Sequence, residues 1–172
     1  LSNSWPPSGS RWFGFLTFAL NYYFGGLNTI GYHIVNLIIH IFNAILVYWL
    51  VVLTFKTQYF SYRQSAISGQ DNINPYSPLP ISTYLPLFIA LLFVAHPIQT
   101  QAVTYIVQRF TSLATMFYLL SLGMYIKFRM QDAGYKMHDK ENPKSYTMHY
   151  ASWIMYLVSL ISAILAMNTK EI

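Results

Sequence analysis

Cysteine is absent from the 172 residues, which excludes disulfide frameworks, thiolate metal sites and cysteine nucleophiles and leaves the redox compartment open. Charge is scarce as well. Asp, Glu, Lys and Arg make up 9% of the chain against 55% hydrophobic and 18% aromatic residues, so the surface of a water-soluble globule cannot be built from this inventory. Also missing are a P-loop, GxGxxG, GxSxG and HExxH, and with them the chemistry each supports. No repeat with a period of about 20 to 50 residues is present, so the piece holds no soluble repeat array. The stretch 1–10 lacks the basic and apolar blocks of a signal peptide, and a chain opening on Leu1 rather than Met reads as an internal piece of a longer protein. The formal charge of +5 comes from bases scattered between lipophilic segments, which points away from nucleic acid and towards membrane topology.

What is present in quantity is long apolar runs. Crossing about 30 Å of hydrocarbon takes roughly 20 mainly apolar residues, and four runs approach that length: 31–55, 79–97, 110–128 and 150–167. The second carries an internal Pro86, which predicts a kink. The aromatic stretch 12–24 (WFGFLTFALNYYF) is too short to cross and predicts an amphipathic helix lying among headgroups, with Gly25 and Gly26 turning the chain into the first span. The expected fold is therefore an all-α membrane protein, with 1–172 forming part of one multi-span domain. Its connecting loops, 56–78 and 129–149, are rich in polar residues and predict flexible connectors.

Lys and Arg near span ends are retained in the cytosol far more often than they are translocated. Lys56, Arg63, Lys127, Arg129, Lys136, Lys140 and Lys144 fall in the two long loops, whereas Arg11, Arg109 and Lys170 fall on the opposite side. This bias places both loops in the cytoplasm. The amino-terminal segment, the turn 97–109 and the tail 168–172 then face outside and should lie together. Of the five acids, Asp71, Asp132, Asp139 and Glu141 are cytoplasmic on this count and Glu171 is external.

Polar residues recur where they are expensive. His33, Asn36, His40 and Asn43 follow spacings that put all four within an arc of roughly 80° on a helix. Such a stripe faces other helices or a wet cavity, as interhelical hydrogen-bonding glue or as a substrate-facing surface. A metal site would need a third ligand, and nothing in the spacing selects His96 for it. The segment from His96 to Thr104 is polar at the outer boundary. It can bind an oxygen-rich ligand or simply cap helix ends. Arg109 at the mouth of the third run is either an anchor reaching lipid phosphate or a guanidinium fork clasping the phosphate of a lipid-linked substrate. Lys170 and Glu171 are either a boundary ion pair or, turned inward beside Arg109, an anion-binding and carboxylate constellation.

Taken together, GxNxxGYHxxNxxxH (Gly26 to His40), HPIxTxAV (His96 to Val103), Arg109 and the Lys170-Glu171 pair resemble the membrane part of the tetratricopeptide-repeat-containing, protein O-mannosyltransferase-like family, its bacterial members fitting best. The resemblance covers nearly the whole chain apart from the two polar loops. It implies a C-type glycosyltransferase bundle that moves a sugar from a polyprenyl-phosphate carrier to an acceptor hydroxyl on a protein or glycan. The expected location is a bacterial inner membrane with the site on the periplasmic side. The implied mechanism is displacement at the anomeric carbon, with a carboxylate activating the acceptor and cations stabilising the departing phosphate. Arg109 and Lys170 match the cationic role, His33, Asn36 and His96 would line or support the cavity floor, and Gln101 stands where many relatives carry Glu. An acidic pair expected upstream of Leu1, and any divalent metal it holds, would lie outside this chain. Glu171 is the candidate carboxylate within it, orienting Lys170. On this reading Arg109, Lys170 and His96 meet around one headgroup, and the piece alone is inactive. A transporter segment and a noncatalytic membrane anchor for a repeat domain are the alternatives from other functional classes.

Overall fold

The computed structural model describes residues 11–57, 80–138 and 145–170, and no strand occurs among them. Among the described residues the α-helices follow in this order: α1 (Trp12–Gly25), α2 (Thr29–Phe55), α3 (Pro80–Ala95), the short α4 (Thr100–Thr104), α5 (Arg109–His138) and α6 (Ser145–Thr169). Two 3-10 turns, Pro97–Gln99 and Ile106–Gln108, flank α4, so the chain between α3 and α5 is a broken helical connection.

The α1–α2 corner forms where the paired glycines place it. Gly26 adopts φ 57°, a left-handed conformation that a Cβ would oppose, and its N–H closes α1 onto the Tyr22 carbonyl at 2.8 Å. Asn28 then caps α2 by accepting from the Ile30 N–H at 3.1 Å. Pro97 cannot continue α3, and the chain tightens there into a 3-10 turn closed by Gln99 N–H to the His96 carbonyl at 2.9 Å.

Central in the bundle, α2 packs against α3, α4 and α5, and the most extensive pairing is between α5 and α6. The apolar core is small: Ile39, Leu113, Phe117 and Ala166, with Phe13 of α1 placed edge-on to Phe117 at 5.0 Å between centroids. Along α5 and α6 the contact is made by small polar residues. Ser121 Oγ donates to the Ser159 carbonyl and Ser159 Oγ returns the bond to the Ser121 carbonyl, both at 2.9 Å, and Ser162 Oγ donates to the Phe117 carbonyl at 2.7 Å. This is how helices associate where apolar contact alone gives no advantage over lipid.

Polarity is inverted relative to a soluble bundle. Asn36, His40 and Asn43 of α2 are buried, whereas Ile34, Leu37, Ile38, Ile41, Phe42 and Ile45 of the same helix are exposed. Two helices among the described residues are both long and apolar enough to cross a bilayer, Thr29–Phe55 with mean hydropathy 2.3 and Ser152–Thr169 with 1.5.

Those two are fewer than the four spans expected from sequence. The reason lies in the other two helices. The 16 residues of α3 reach about 24 Å, short of the roughly 30 Å core. With 30 residues α5 is long enough, but Thr111, Ser112, Thr115, Ser121 and Lys127 dilute its hydropathy. A second correction concerns the connector 129–149: α5 continues through His138 and α6 begins at Ser145, so most of that stretch is helical. The connector 56–78 lies outside the described residues from 58 onward.

The stretch 12–24 is helical, with its small and polar positions, Gly14, Thr17 and Asn21, turned inward and Trp12, Leu16, Leu20 and Tyr23 exposed. Gly14 is buried because the Phe110 ring lies where a side chain would project. Gly123 plays the same part for the Trp49 ring between α5 and α2.

Candidate functional site

The polar stripe on α2 meets the broken connection residue by residue. His33 Nδ1 lies 3.2 Å from the Val103 carbonyl, Asn36 Nδ2 donates to the Tyr105 carbonyl at 3.3 Å, and Asn43 Nδ2 donates to the Ser112 carbonyl at 3.0 Å. His40 stacks on Phe93 with centroids 5.5 Å apart. Val103 and Tyr105 sit where α4 ends, so two of these bonds serve carbonyls at a helix break, that of Tyr105 also accepting from the Gln108 N–H at 3.1 Å. His33, Asn36 and Asn43 thus each meet a backbone carbonyl on another element; of the three, Asn43 lines one of the two cavities described below and His33 and Asn36 line neither.

Arg109 completes this framework. It is fully buried, and its guanidinium bonds two other helices, α1 and α2: Nε–H to Asn36 Oδ1 at 2.8 Å, one Nη to the Thr17 carbonyl at 3.4 Å, and the other to Asn21 Oδ1 at 3.3 Å and the Tyr32 carbonyl at 3.0 Å. The Phe18 ring lies 4.4 Å and the Tyr32 ring 5.5 Å from its central carbon. Neutral acceptors and π faces thus solvate the cation where a carboxylate would ordinarily stand. A guanidinium held on so many sides is not presented to a ligand. The expected clasp of phosphate by Arg109 is replaced by a brace between α1, α2 and α5.

Above the brace lies a groove of about 520 Å³ lined by Arg11, Gln101, Tyr105, Val107, Gln108, Phe110, Thr111 and Lys170. It draws on all three segments that the basic-residue bias assigns to one side. Lys170 Nζ is 3.4 Å from Thr111 Oγ1, an exposed contact between the end of α6 and the first turn of α5. The groove's lining carries two exposed cations, two amides and two hydroxyls, and no acid among the described residues. Lys170 and Gln101, anticipated from sequence, are here. His96 is exposed at the end of α3 and lines neither cavity, so Arg109, Lys170 and His96 do not meet around one ligand. Glu171 lies outside the described residues. No cluster of three His, Asp or Glu side chains suited to a metal ion occurs among the described residues.

Sequence reasoning missed Arg11, Gln108 and Thr111 as groove residues and Asn21 and Tyr32 as partners of Arg109. Two signals were available. Asn21 is the lone amide in an aromatic run, and Arg11 is one of only three bases on its side of the topology.

A smaller cavity of about 190 Å³ lies between α2, α3, the broken connection and α5, lined by His40, Asn43, Phe93, Gln99, Gln101, Ala102, Gln108, Thr111, Ser112 and Thr115. It shares Gln101, Gln108 and Thr111 with the groove.

The chain has relatives among known proteins. It is similar to human protein O-mannosyl-transferase TMTC4, at 30% identity over 91% of this chain and 18% of that protein. Protein O-mannosyl-transferase Tmtc3 of Drosophila melanogaster is 36% identical over 65% of this chain and 12% of its own length. Mouse protein O-mannosyl-transferase TMTC2 is 34% identical over 65% of the chain and 10% of that protein. These relatives are animal proteins and give no support to the bacterial assignment. No family model and no solved structure matches the chain. The chain spans less than a fifth of the length of the curated relatives it matches, and those relatives are protein O-mannosyl-transferases.

Proposed function

We propose that the chain is a membrane-embedded segment of a protein O-mannosyl-transferase-like glycosyltransferase and that its groove holds the phosphate of a polyprenyl-phosphate-linked sugar on the non-cytosolic side. α2 and α6 span the bilayer, α3 and α5 complete the bundle as shorter or more polar spans, and α1 lies at the outer interface. The observation that carries the reading is the convergence of Arg11 and Lys170, with the Gln101 and Gln108 amides, in one groove that no acid among the described residues lines. Similarity to the O-mannosyl-transferases supports the same chemistry.

During transfer the bond from the anomeric carbon to the phosphate oxygen breaks and an acceptor hydroxyl oxygen bonds to that carbon. The hydroxyl proton passes to a carboxylate, Glu171 or an acid elsewhere in the full protein, and the lipid phosphate leaves with the electron pair. Lys170 and Arg11 stabilise the charge that grows on this leaving group, the role assigned from sequence to Arg109 and Lys170. Arg109, Asn36 and His33 act as positioning residues that hold the broken connection beneath the groove. His96 sits outside it.

The test is sugar transfer by the full-length protein, reconstituted with a labelled polyprenyl-phosphate mannose and a Ser/Thr acceptor peptide. Lys170→Ala should lower turnover by about 100-fold, the scale of losing one aimed electrostatic donor. Turnover within about threefold of wild type, less than 1 kcal/mol of barrier, in both Lys170→Ala and Arg11→Ala would remove the groove from the mechanism.

A further inference from the structure

Asn43 is 2% exposed, and its Oδ1 is a buried polar side-chain atom with no hydrogen-bond partner among the described residues. The amide orientation is fixed: Nδ2 faces the Ser112 carbonyl at 3.0 Å, and a carbonyl can only accept, so exchanging O and N would set two acceptors against each other. The unsatisfied atom therefore requires a donor, and Asn43 lines the smaller cavity. The walls of that cavity specify the guest further. No charged side chain among the described residues lines it, which disfavours a phosphate or a cation. Amides, threonine hydroxyls and the His40 ring supply donors and acceptors around it, and the stacked His40 and Phe93 rings provide a flat aromatic wall. Thr115 Oγ1–H is already donated to the Thr111 carbonyl at 2.9 Å, so the lone pairs of that hydroxyl are what it can offer a guest.

We propose that this chamber is the subsite for a single sugar ring, a neutral, hydroxyl-rich guest that donates to Asn43 Oδ1. A volume of about 190 Å³ suits one ring, equal to about six waters at roughly 30 Å³ each, and excludes a polyprenyl chain. The inference rests on the reading of the groove as a lipid-phosphate site. Gln101, Gln108 and Thr111 border both spaces, so a phosphate in the groove and the ring attached to it occupy adjoining compartments across one shared lip.

The test uses the full-length protein in lipid nanodiscs and two probes, methyl α-mannopyranoside and farnesyl phosphate, titrated separately by ligand-observed NMR. Ala102→Leu fills the chamber without deleting a hydrogen bond, Asn43→Leu removes the acceptor, and Lys170→Ala disarms the groove. Glycoside affinity should fall by about tenfold or more in Ala102→Leu and Asn43→Leu and be unchanged in Lys170→Ala. Farnesyl phosphate should show the opposite pattern. Should Asn43→Leu fail to fold, Ala102→Leu alone decides, with its thermal transition compared with wild type to establish that it is folded. No glycoside binding by the wild type, as a chamber holding only water would give, overturns the proposal, as does binding that survives Ala102→Leu. Farnesyl phosphate binding indifferent to Lys170→Ala sinks the groove reading instead, leaving the chamber to be judged by the glycoside arm.

Discussion

Arg109 and Asn36 stand 73 positions apart in sequence and meet through a buried hydrogen bond of 2.8 Å from the guanidinium Nε–H to the amide Oδ1. The same amide donates through Nδ2 to the Tyr105 carbonyl at 3.3 Å, so one asparagine couples the guanidinium to the break after α4. The groove lies over this coupling, and its shape depends on it. If Arg109 is a brace, its loss appears first as a loss of structure.

Replacing Arg109 with Lys keeps the charge but not the fork, leaving several buried acceptors on α1 and α2 without donors. At about 1 to 3 kcal/mol for each group left unsatisfied, Arg109→Lys should destabilise the full-length protein by at least about 2 kcal/mol. Asn36→Leu should cost a similar amount. Thermal unfolding in detergent with a fluorescence readout checks both, and a transition unchanged from wild type in Arg109→Lys would contradict the bracing role.

Gly14 and Phe110 give a second test, because the ring occupies the space a Cβ would need. Gly14→Val should force α1 away from α5 and cost about 1 to 3 kcal/mol through overpacking. Adding Phe110→Ala should restore part of that loss. A double-mutant cycle measures the coupling, and additive effects would mean that α1 is not seated on this ring.

How much of this was legible in the sequence depends on whether a signal was local or spatial. The Gly25-Gly26 corner, the stripe from His33 to Asn43 and the end of α3 at Pro97 follow from backbone geometry and helical periodicity, and each is found where expected. The fate of Arg109 was not legible. Its partners Thr17, Asn21 and Tyr32 lie between 77 and 92 residues away, and only packing decides whether a cation at a helix start faces ligand or protein. Span counting erred for a related reason. Counting apolar runs gave weight to length, whereas the serines and threonines of α5, several of them spent on bonds within and between helices, lower its mean hydropathy, and α3 is short.

The serine contacts between α5 and α6 should be individually modest. Ser121→Ala or Ser159→Ala alone should cost about 0.6 kcal/mol, typical of polar contacts between membrane helices, with a favourable coupling between them because the bonds are reciprocal. Unfolding in a mixed-detergent titration resolves this, and zero coupling would show that the two hydroxyls act separately.

Lys170 and Arg11 are exposed, so neutralising them should spare the fold while weakening anion binding. Lys170→Gln should unfold within about 0.5 kcal/mol of wild type, as a surface substitution does. Raising ionic strength from low to about 0.5 M should weaken farnesyl phosphate binding to the wild type more than to the Lys170→Gln/Arg11→Gln pair, because screening acts on the charges the variant lacks. Equal salt dependence in the two proteins would place the anion elsewhere.

The most direct measurement is where a lipid phosphate sits. A photoreactive prenyl phosphate carrying its label next to the phosphate, crosslinked to the full-length protein in nanodiscs and mapped by mass spectrometry, should mark Val107, Phe110 or the end of α6. Excess farnesyl phosphate and the Lys170→Gln/Arg11→Gln substitutions should both suppress the marking. Labelling confined to the opposite end of α5, around Lys127 and Arg129, and unaffected by those substitutions, would contradict the account.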